Sequence, residues 1–314
     1  MKRTFLAAAM ATLMSTGAYS ESIGVSMALF DDNFLTVLRN GMVDYADGLD
    51  GVDIQVEDAQ NDVGKQLNQI QNFIASGVDA IVVNPVDTDA TIAMTKAAEA
   101  AGVPLVFVNR EPVNVDTLPD NQAFVASNEL DSGTLETQEV CRLLKDMGKG
   151  DGANVVIMVG ELQSQAARLR TQDVHDVVAT ADCSFITVID EQVANFSRTQ
   201  GADLMTNWLS SGIEFDAVIA NNDEMAIGAI QALKSAGVSM ETMIVAGVDA
   251  TQDALAAMAA GDLDATVFQD AAGQGSGAVN AALALARGES VDQKVYIPFQ
   301  LVTPANLSGF TSKN

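Results

Sequence analysis

Histidine, cysteine and cationic side chains are scarce in this chain. Its 314 residues hold one His, two Cys and one Trp, and 16 Lys and Arg stand against 42 Asp and Glu, a net charge of −26. With His175 alone and Cys141 far from Cys183 in sequence, a Ser-His-Asp site or a zinc site has almost no material. His175 falls late in the helical stretch that follows residues 154–159, a helix-face position, and no Walker-type G-x-x-x-x-G-K occurs. The expectation is a protein without cofactor, metal or catalytic constellation. The shortage of cations makes nucleic acid and anionic membrane surfaces poor partners. No apolar run beyond the N-terminus is long enough to span a bilayer, which predicts a soluble mature chain.

The opening stretch "MKRTFLAAAMATLMSTGAYSES" has two cations, an apolar run from Phe5 to about Met14 and a small-x-small ending at Ala18-Tyr19-Ser20. That is the pattern of a secretory signal peptide cleaved after about Ser20, and it predicts export to the periplasm. Cleavage would remove Lys2 and Arg3 and no acid, leaving 14 cations against 42 acids and a net charge of −28. An even cysteine count in an exported chain predicts a disulfide between Cys141 and Cys183; two buried thiols are the alternative.

Short Val- and Ile-rich runs alternate with stretches of helical period from Ile23 to about Val302. The predicted strands are 23–28, 52–57, 79–83, 104–108, 123–126, 154–159, 184–189, 216–220, 243–247 and 265–268. Between them Phe34, Leu38, Met42 and Tyr45 share one helix face and Leu67, Ile70 and Ile74 another, with Gly48 and Gly77 as terminators. Continuous apolar strands such as "AIVV" and "VVIMV" suit parallel sheets covered on both faces. The alternation occurs twice, so the fold class read here is α/β, with two Rossmann-like doubly wound lobes.

Ligands of open parallel sheets bind beyond the carboxyl ends of the strands. The residues there are Phe30, Asp31, Asp32 and Phe34 after the first strand, Asn109 and Arg110 after the fourth, and Gln163, Arg168 and Arg170 after 154–159. Phe196, Asn222, Asp249 and Gln269 follow the remaining strands of the second half. Carboxylates and amides serve vicinal hydroxyls, Arg offers a fixed fork of donors and aromatic faces cover C–H surface, a set suited to a polyhydroxylated ring or chain. Taken singly, Asp31 or Asp32 is also a good helix cap, Arg168 and Arg170 a solvated helix face, Phe196 a core residue and Asp249 a cap for a helix over 251–260. "GQGSGA", residues 273–278, fits a loose nucleotide pattern but comes late and lacks the strand-end acid, so it reads as small-residue helix packing.

The segments "GVDAIVVNPVDTDA", "GVPLVFVNR", "QAARLRTQDV", "NNDEMAIGAIQALKSAG", "VAGVDAT" and "LDATVFQD", in that order, make the chain resemble the type I periplasmic solute-binding proteins of sugar ABC transporters, the ribose-binding cluster in particular. The resemblance implies two lobes joined by three hinge crossings. It divides the chain into a signal peptide at 1–20, an N-terminal lobe of 21–127 with 270–298, and a C-terminal lobe of 128–269 with 299–314. It implies ligand contacts at Asp32, Phe34 and Leu35, at Asn109 and Arg110, and at Arg170, Phe196, Asn222, Asp249 and Gln269. Asn222 would then face the cleft while Asp223 caps the helix that follows. Three departures set the site apart from ribose binders: Asn33 and Leu35 replace a proline and an aromatic, one extra residue enters around Phe30, and Asn109 replaces an acid. "FDDNFL" and "QAARLRTQDVHDV" are more similar to binders of inositol and related cyclic polyols. The implied function is a monomeric carrier that delivers a sugar or cyclic polyol, myo-inositol-like, to a membrane ABC permease; a sensor serving a chemoreceptor, or a pentose binder, is the alternative. A repressor of the same lobe architecture would need an N-terminal helix-turn-helix in place of the export signal.

Overall fold

Runs that read as strands buried on both faces form the centres of two parallel sheets in the computed structural model, which describes residues 20–314. The expected signal peptide, apart from Ser20, lies outside the described residues. The first half supplies β1 (Glu21–Met27), α1 (Asn33–Asp47), β2 (Val52–Asp58), α2 (Val63–Ser76), β3 (Ala80–Val83), α3 (Thr91–Ala101), β4 (Leu105–Val108) and β5 (Gln122–Ala126). There follow α4 (Glu129–Asp146), β6 (Ala153–Val159), α5 (Gln165–Val178), β7 (Ile186–Val193), α6 (Arg198–Ser211), β8 (Ala217–Ala220), α7 (Asp223–Ser235), β9 (Ile244–Ala246), α8 (Gln252–Ala259) and β10 (Thr266–Phe268). The chain ends with α9 (Ala271–Ala286), β11 (Lys294–Tyr296) and β12 (Gln300–Val302).

One sheet has the order β11-β5-β4-β3-β1-β2 with every pairing parallel. The other runs β7-β6-β8-β9, continued by β10 through bridges at Ala246–Ala265 and Asp249–Phe268, and β12 closes antiparallel on β10. The chain passes between the lobes after β5, between β10 and α9, and between β11 and β12. The strands β11 and β12 escape sequence reading because each is only three residues long, and "KVY" and "QLV" contain no apolar run of the kind that marks the central strands. β7 runs on through Asp190, Glu191 and Gln192 because it is an edge strand, and an edge strand tolerates polar side chains.

Helix faces follow the same economy. α1 buries Phe34, Leu35, Leu38, Met42 and Ala46, while Tyr45 is half-buried and donates to Asn280 Oδ1 at 2.8 Å. α2 is rotated from the apolar reading: Gln66 and Gln69 are buried beside Ile70 and Phe73, and Leu67 and Ile74 are only half-buried. The glutamines earn that place by hydrogen bonding, since Gln66 donates to the Asn84 carbonyl and accepts from Val86 N–H, and Gln69 accepts from Ser26. The "GQGSGA" stretch lies in α9 against α1, and a Cβ on Gly275 would come within 2.9 Å of the Met42 nitrogen. Close packing of two backbones is what the glycine supplies.

Cys141 on α4 and Cys183 before β7 form a disulfide, with Cα atoms 5.8 Å apart, and both sulfurs sit in the apolar layer between α4, α5 and the second sheet. Closing a loop of 42 residues restricts the unfolded chain. The Cys141→Ala/Cys183→Ala variant is therefore expected to lose about 3–4 kcal/mol of unfolding free energy. A urea titration beside the oxidised protein measures it, and coincident midpoints would refute it.

Candidate functional site

The carboxyl ends of the two sheets face each other across a small cavity, about 40 Å³. Its wall is Asp32, Phe34, Leu35, Asn109 and Arg110 from one lobe and Ser164, Ala166, Arg170, Phe196, Asn222, Asp249 and Gln269 from the other. No helix among the described residues is long and apolar enough to cross a membrane.

Arg170 forms the floor on the second lobe. Its Nε and Nη2 donate to the two carboxylate oxygens of Glu129 at 2.8 and 2.9 Å, Nη1 to the Asn221 carbonyl at 2.7 Å, and Nη2 also reaches Gln269 Oε1 at 3.3 Å. Burial works against its charge, but Glu129 and then Asp249 hold it protonated. Asp249 stands 3.8 Å from Arg170 Nη1. Burial pushes its carboxyl well above the usual range, and Arg170 opposes that rise. At that distance the contact is an ion pair only, and the Asp249 carboxylate has no hydrogen-bond donor among the described residues. Two further polar atoms are buried and unpartnered at the wall, Gln269 Nε2 and Ser164 Oγ. Each is a group that a bound hydroxyl could satisfy.

The first lobe holds its side chains by the loops after β1 and β4. Asp32 caps α1 by accepting from Leu35 N–H at 2.7 Å, and burial pushes its carboxyl upward. Asn109 adopts a left-handed φ of 67°, which Asn tolerates better than most residues, and its Oδ1 accepts from Asn84 at 3.1 Å while the residue lines the cavity. Arg110 donates from Nη1 to the carbonyls of Pro85 and Val86 and from Nη2 to Glu161 of the other lobe at 3.1 Å, a buried ion pair. Phe196, at φ 55°, lays its ring where a Cβ on residue 160 would stand, 2.2 Å away, so only Gly160 admits it.

The four polar residues at the start of α7 have four roles. Asn221 Oδ1 ties Gly160 N–H and Thr171 Oγ1. Asn222, not Asp223, caps α7, accepting from Met225 N–H at 3.1 Å while lining the cavity. Asp223 turns inward instead, accepting from Thr266 Oγ1 at 2.7 Å and Thr251 N–H at 2.8 Å. Glu224 bridges the lobes, accepting from Asn33 Nδ2 at 2.7 Å and from Arg198. Likewise α8 is capped by Thr251, which frees Asp249 from that duty.

Three expected residues do not reach the cavity wall. Phe30 lies under the Arg39 guanidinium at 4.3 Å. Asp31 borders only a polar groove outside the cavity. Arg168 is drawn to the Leu162 carbonyl and across the lobes to Thr88 Oγ1. His175 sits exposed on α5 beside Glu191. Sequence reading missed Glu129, whose only mark is an acid in the first turn of α4, and Glu161, although it directly follows Gly160 at a strand end. Glu161 also accepts from Asn61 at 2.6 Å, so that acid joins the lobes twice.

Residues 23–290 match the family described as periplasmic binding protein domain. A putative rhizopine-binding protein of Rhizobium meliloti is 66% identical over the whole of both chains. A solute-binding protein of an ABC transporter from Bacillus halodurans, solved with bound myo-inositol, is 41% identical with a TM-score of 0.88, over 96% of this chain and 100% of that one. The Caulobacter myo-inositol binding protein, bound to myo-inositol, is 28% identical with a TM-score of 0.82, over 92% and 95%.

Burial beneath the site has a measurable consequence. Asp173, one turn beyond Arg170, is pushed up to about 7 by burial and by Glu129, Asp223 to about 7 by burial, and Asp264 to about 6 by burial. In the unfolded chain such groups lose their protons near pH 4. Between about pH 4 and pH 7 the folded state therefore holds more protons, and stability falls as pH rises through that window. The melting temperature is expected to be higher at pH 5 than at pH 8. Asp173→Asn, which removes the titrating group at nearly the same volume, should flatten the fall; parallel profiles for the two proteins would refute the assignment.

Proposed function

The chain belongs to the type I periplasmic binding proteins of sugar ABC transporters, and from that premise we propose that it closes on a cyclic polyol of the inositol class and carries it through the periplasm to a membrane permease. It is a binding protein and not an enzyme. The observation that carries the polyol reading is a cavity between the lobes whose wall sets the carboxylates of Asp32 and Asp249 beside two unpartnered donors, Gln269 Nε2 and Ser164 Oγ, a set suited to groups that both give and accept hydrogen bonds. A ring bearing a hydroxyl on each carbon presents that alternation around its edge, and its C–H faces suit Phe34 and Phe196. The two relatives solved with myo-inositol and the relative named for rhizopine, an inositol derivative, support an inositol-class ligand over a pentose. Both walls come from one chain, which is consistent with a monomer. Export rests on the family and on the signal-like first residues.

A second reading is favoured by charge. Arg110 and Arg170 hydrogen-bond Glu161 and Glu129, and Arg170 approaches Asp249 only to 3.8 Å, so Asp32 and Asp249, once ionised, leave a surplus of negative charge. An amino-substituted cyclitol would neutralise it.

Calorimetry with myo-inositol, an amino-cyclitol and ribose tests both readings. Micromolar binding, about −8 kcal/mol, is expected for the inositol class and much weaker binding for ribose. If the amine is preferred, its affinity should fall as pH drops and Asp249 and Asp32 take up protons, whereas myo-inositol should respond less. Asp249→Asn is expected to cost roughly 2–5 kcal/mol of affinity. The ligand-free variant should be no less stable, because burial already opposes the Asp249 charge and Thr251 caps α8. Wild-type affinity in that variant would remove Asp249 from the site, and tighter binding of ribose than of any cyclitol would overturn the proposal.

A further inference from the structure

A side chain that never touches the cavity holds two residues of its wall. After β12 the chain folds back under β10: Phe310 packs on Phe268 with ring centroids 5.3 Å apart, and the Lys313 ammonium covers both rings at 5.1 and 4.7 Å. That anchorage delivers Asn314 to the point where the chain leaves the second lobe. Asn314 Nδ2 donates to the backbone carbonyls of Asp249 and Gln269, each at 2.7 Å. Its Oδ1 accepts from Ala271 N–H, the first residue of α9, at 3.3 Å.

We propose that Asn314 is a positioning residue of the binding site, clamping Asp249 and Gln269 side by side and fixing the lobe crossing at 269–271. The clamp falls on backbone that needs one. Asp249 has φ 123° and Ala250 φ 52°, both in the region that residues other than glycine avoid, and such a conformation persists only where its surroundings over-determine it. The remaining ties are Asp249 N–H to the Val267 carbonyl, Gln269 N–H to the Asp249 carbonyl at 3.3 Å and Ala250 N–H to Thr266 Oγ1. A primary amide alone places two donors and an acceptor in one plane, as three backbone groups require here. An aspartate would set an anionic oxygen against two carbonyl oxygens, and alanine would leave the Gln269 carbonyl with nothing in the amide's place.

The proposal rests on the polyol reading for its effect on affinity, so its test has one arm without ligand. Amide exchange in the ligand-free protein and calorimetry with myo-inositol are compared for wild type, Asn314→Ala, Asn314→Asp and Gln252→Ala; the last removes only a contact to the Asn314 backbone carbonyl. In Asn314→Ala, exchange should quicken at residues 249–251 and 269–271 and nowhere else in the second lobe. Affinity should fall roughly tenfold, and further in Asn314→Asp. The ligand-free melting temperature should stay near that of Gln252→Ala, which keeps wild-type affinity. Unchanged exchange in those two segments, or an affinity loss that Gln252→Ala shares in full, overturns the proposal. Failure of wild type to bind any cyclitol would overturn the polyol reading, while the exchange arm would still decide on Asn314.

Discussion

The second half of the site depends on one buried guanidinium. Arg170 gathers α4 through Glu129, the end of β8 through the Asn221 carbonyl, the end of β10 through Gln269 and the end of β9 through Asp249. A charge taken out of water is tolerable only when its donors are used, and here the bidentate pair with Glu129 and the carbonyl use them. Four elements are thus fixed in distance and angle by one planar group. Its cost is a cluster of carboxyls held away from water, which is why Asp173, Asp223 and Asp249 all resist ionisation.

Closure is written into contacts outside the cavity as much as into the cavity itself. Glu161 accepts from Arg110 and Asn61, Glu224 from Asn33, and Gln163 offers its carbonyl to Thr88. Arg110–Glu161 is buried, so its strength depends on full pairing, whereas the exposed Asn33 contact adds little. The apposed form therefore has favourable contacts of its own, and a ligand need add only the difference between the two forms.

Much of this was legible in the sequence, for reasons that differ by element. The buried parallel strands announce themselves because "AIVV" or "VVIMV" has no other comfortable place, and the strand-end rule points to Asp32, Asn109, Arg170 and Asp249 because parallel sheets leave that edge open. The rest hangs on side-chain direction, which periodicity cannot supply. Asp223 and Asn222 are adjacent and similar, yet one turns inward to two threonines while the other caps the helix and borders the cavity. Arg168 and Arg170 are two residues apart on one helix, and that spacing sends them to different faces. Glu129 and Glu161 were overlooked because an acid in a first turn or a loop is usually solvated, and only the arginine opposite gives it meaning.

The N-cap and first turn of α1 supply Asp32, Phe34 and Leu35 to the cavity and Asn33 to the opposite lobe, and none of the four hydrogen-bonds Arg170. Rim and floor are therefore separable. Exchanging a few neighbouring codons after β1 alters ring coverage and hydroxyl pairing on one side of the ligand while the buried charges keep their partners. A lineage built this way can move from one polyol to another by small steps, each leaving a folded carrier behind.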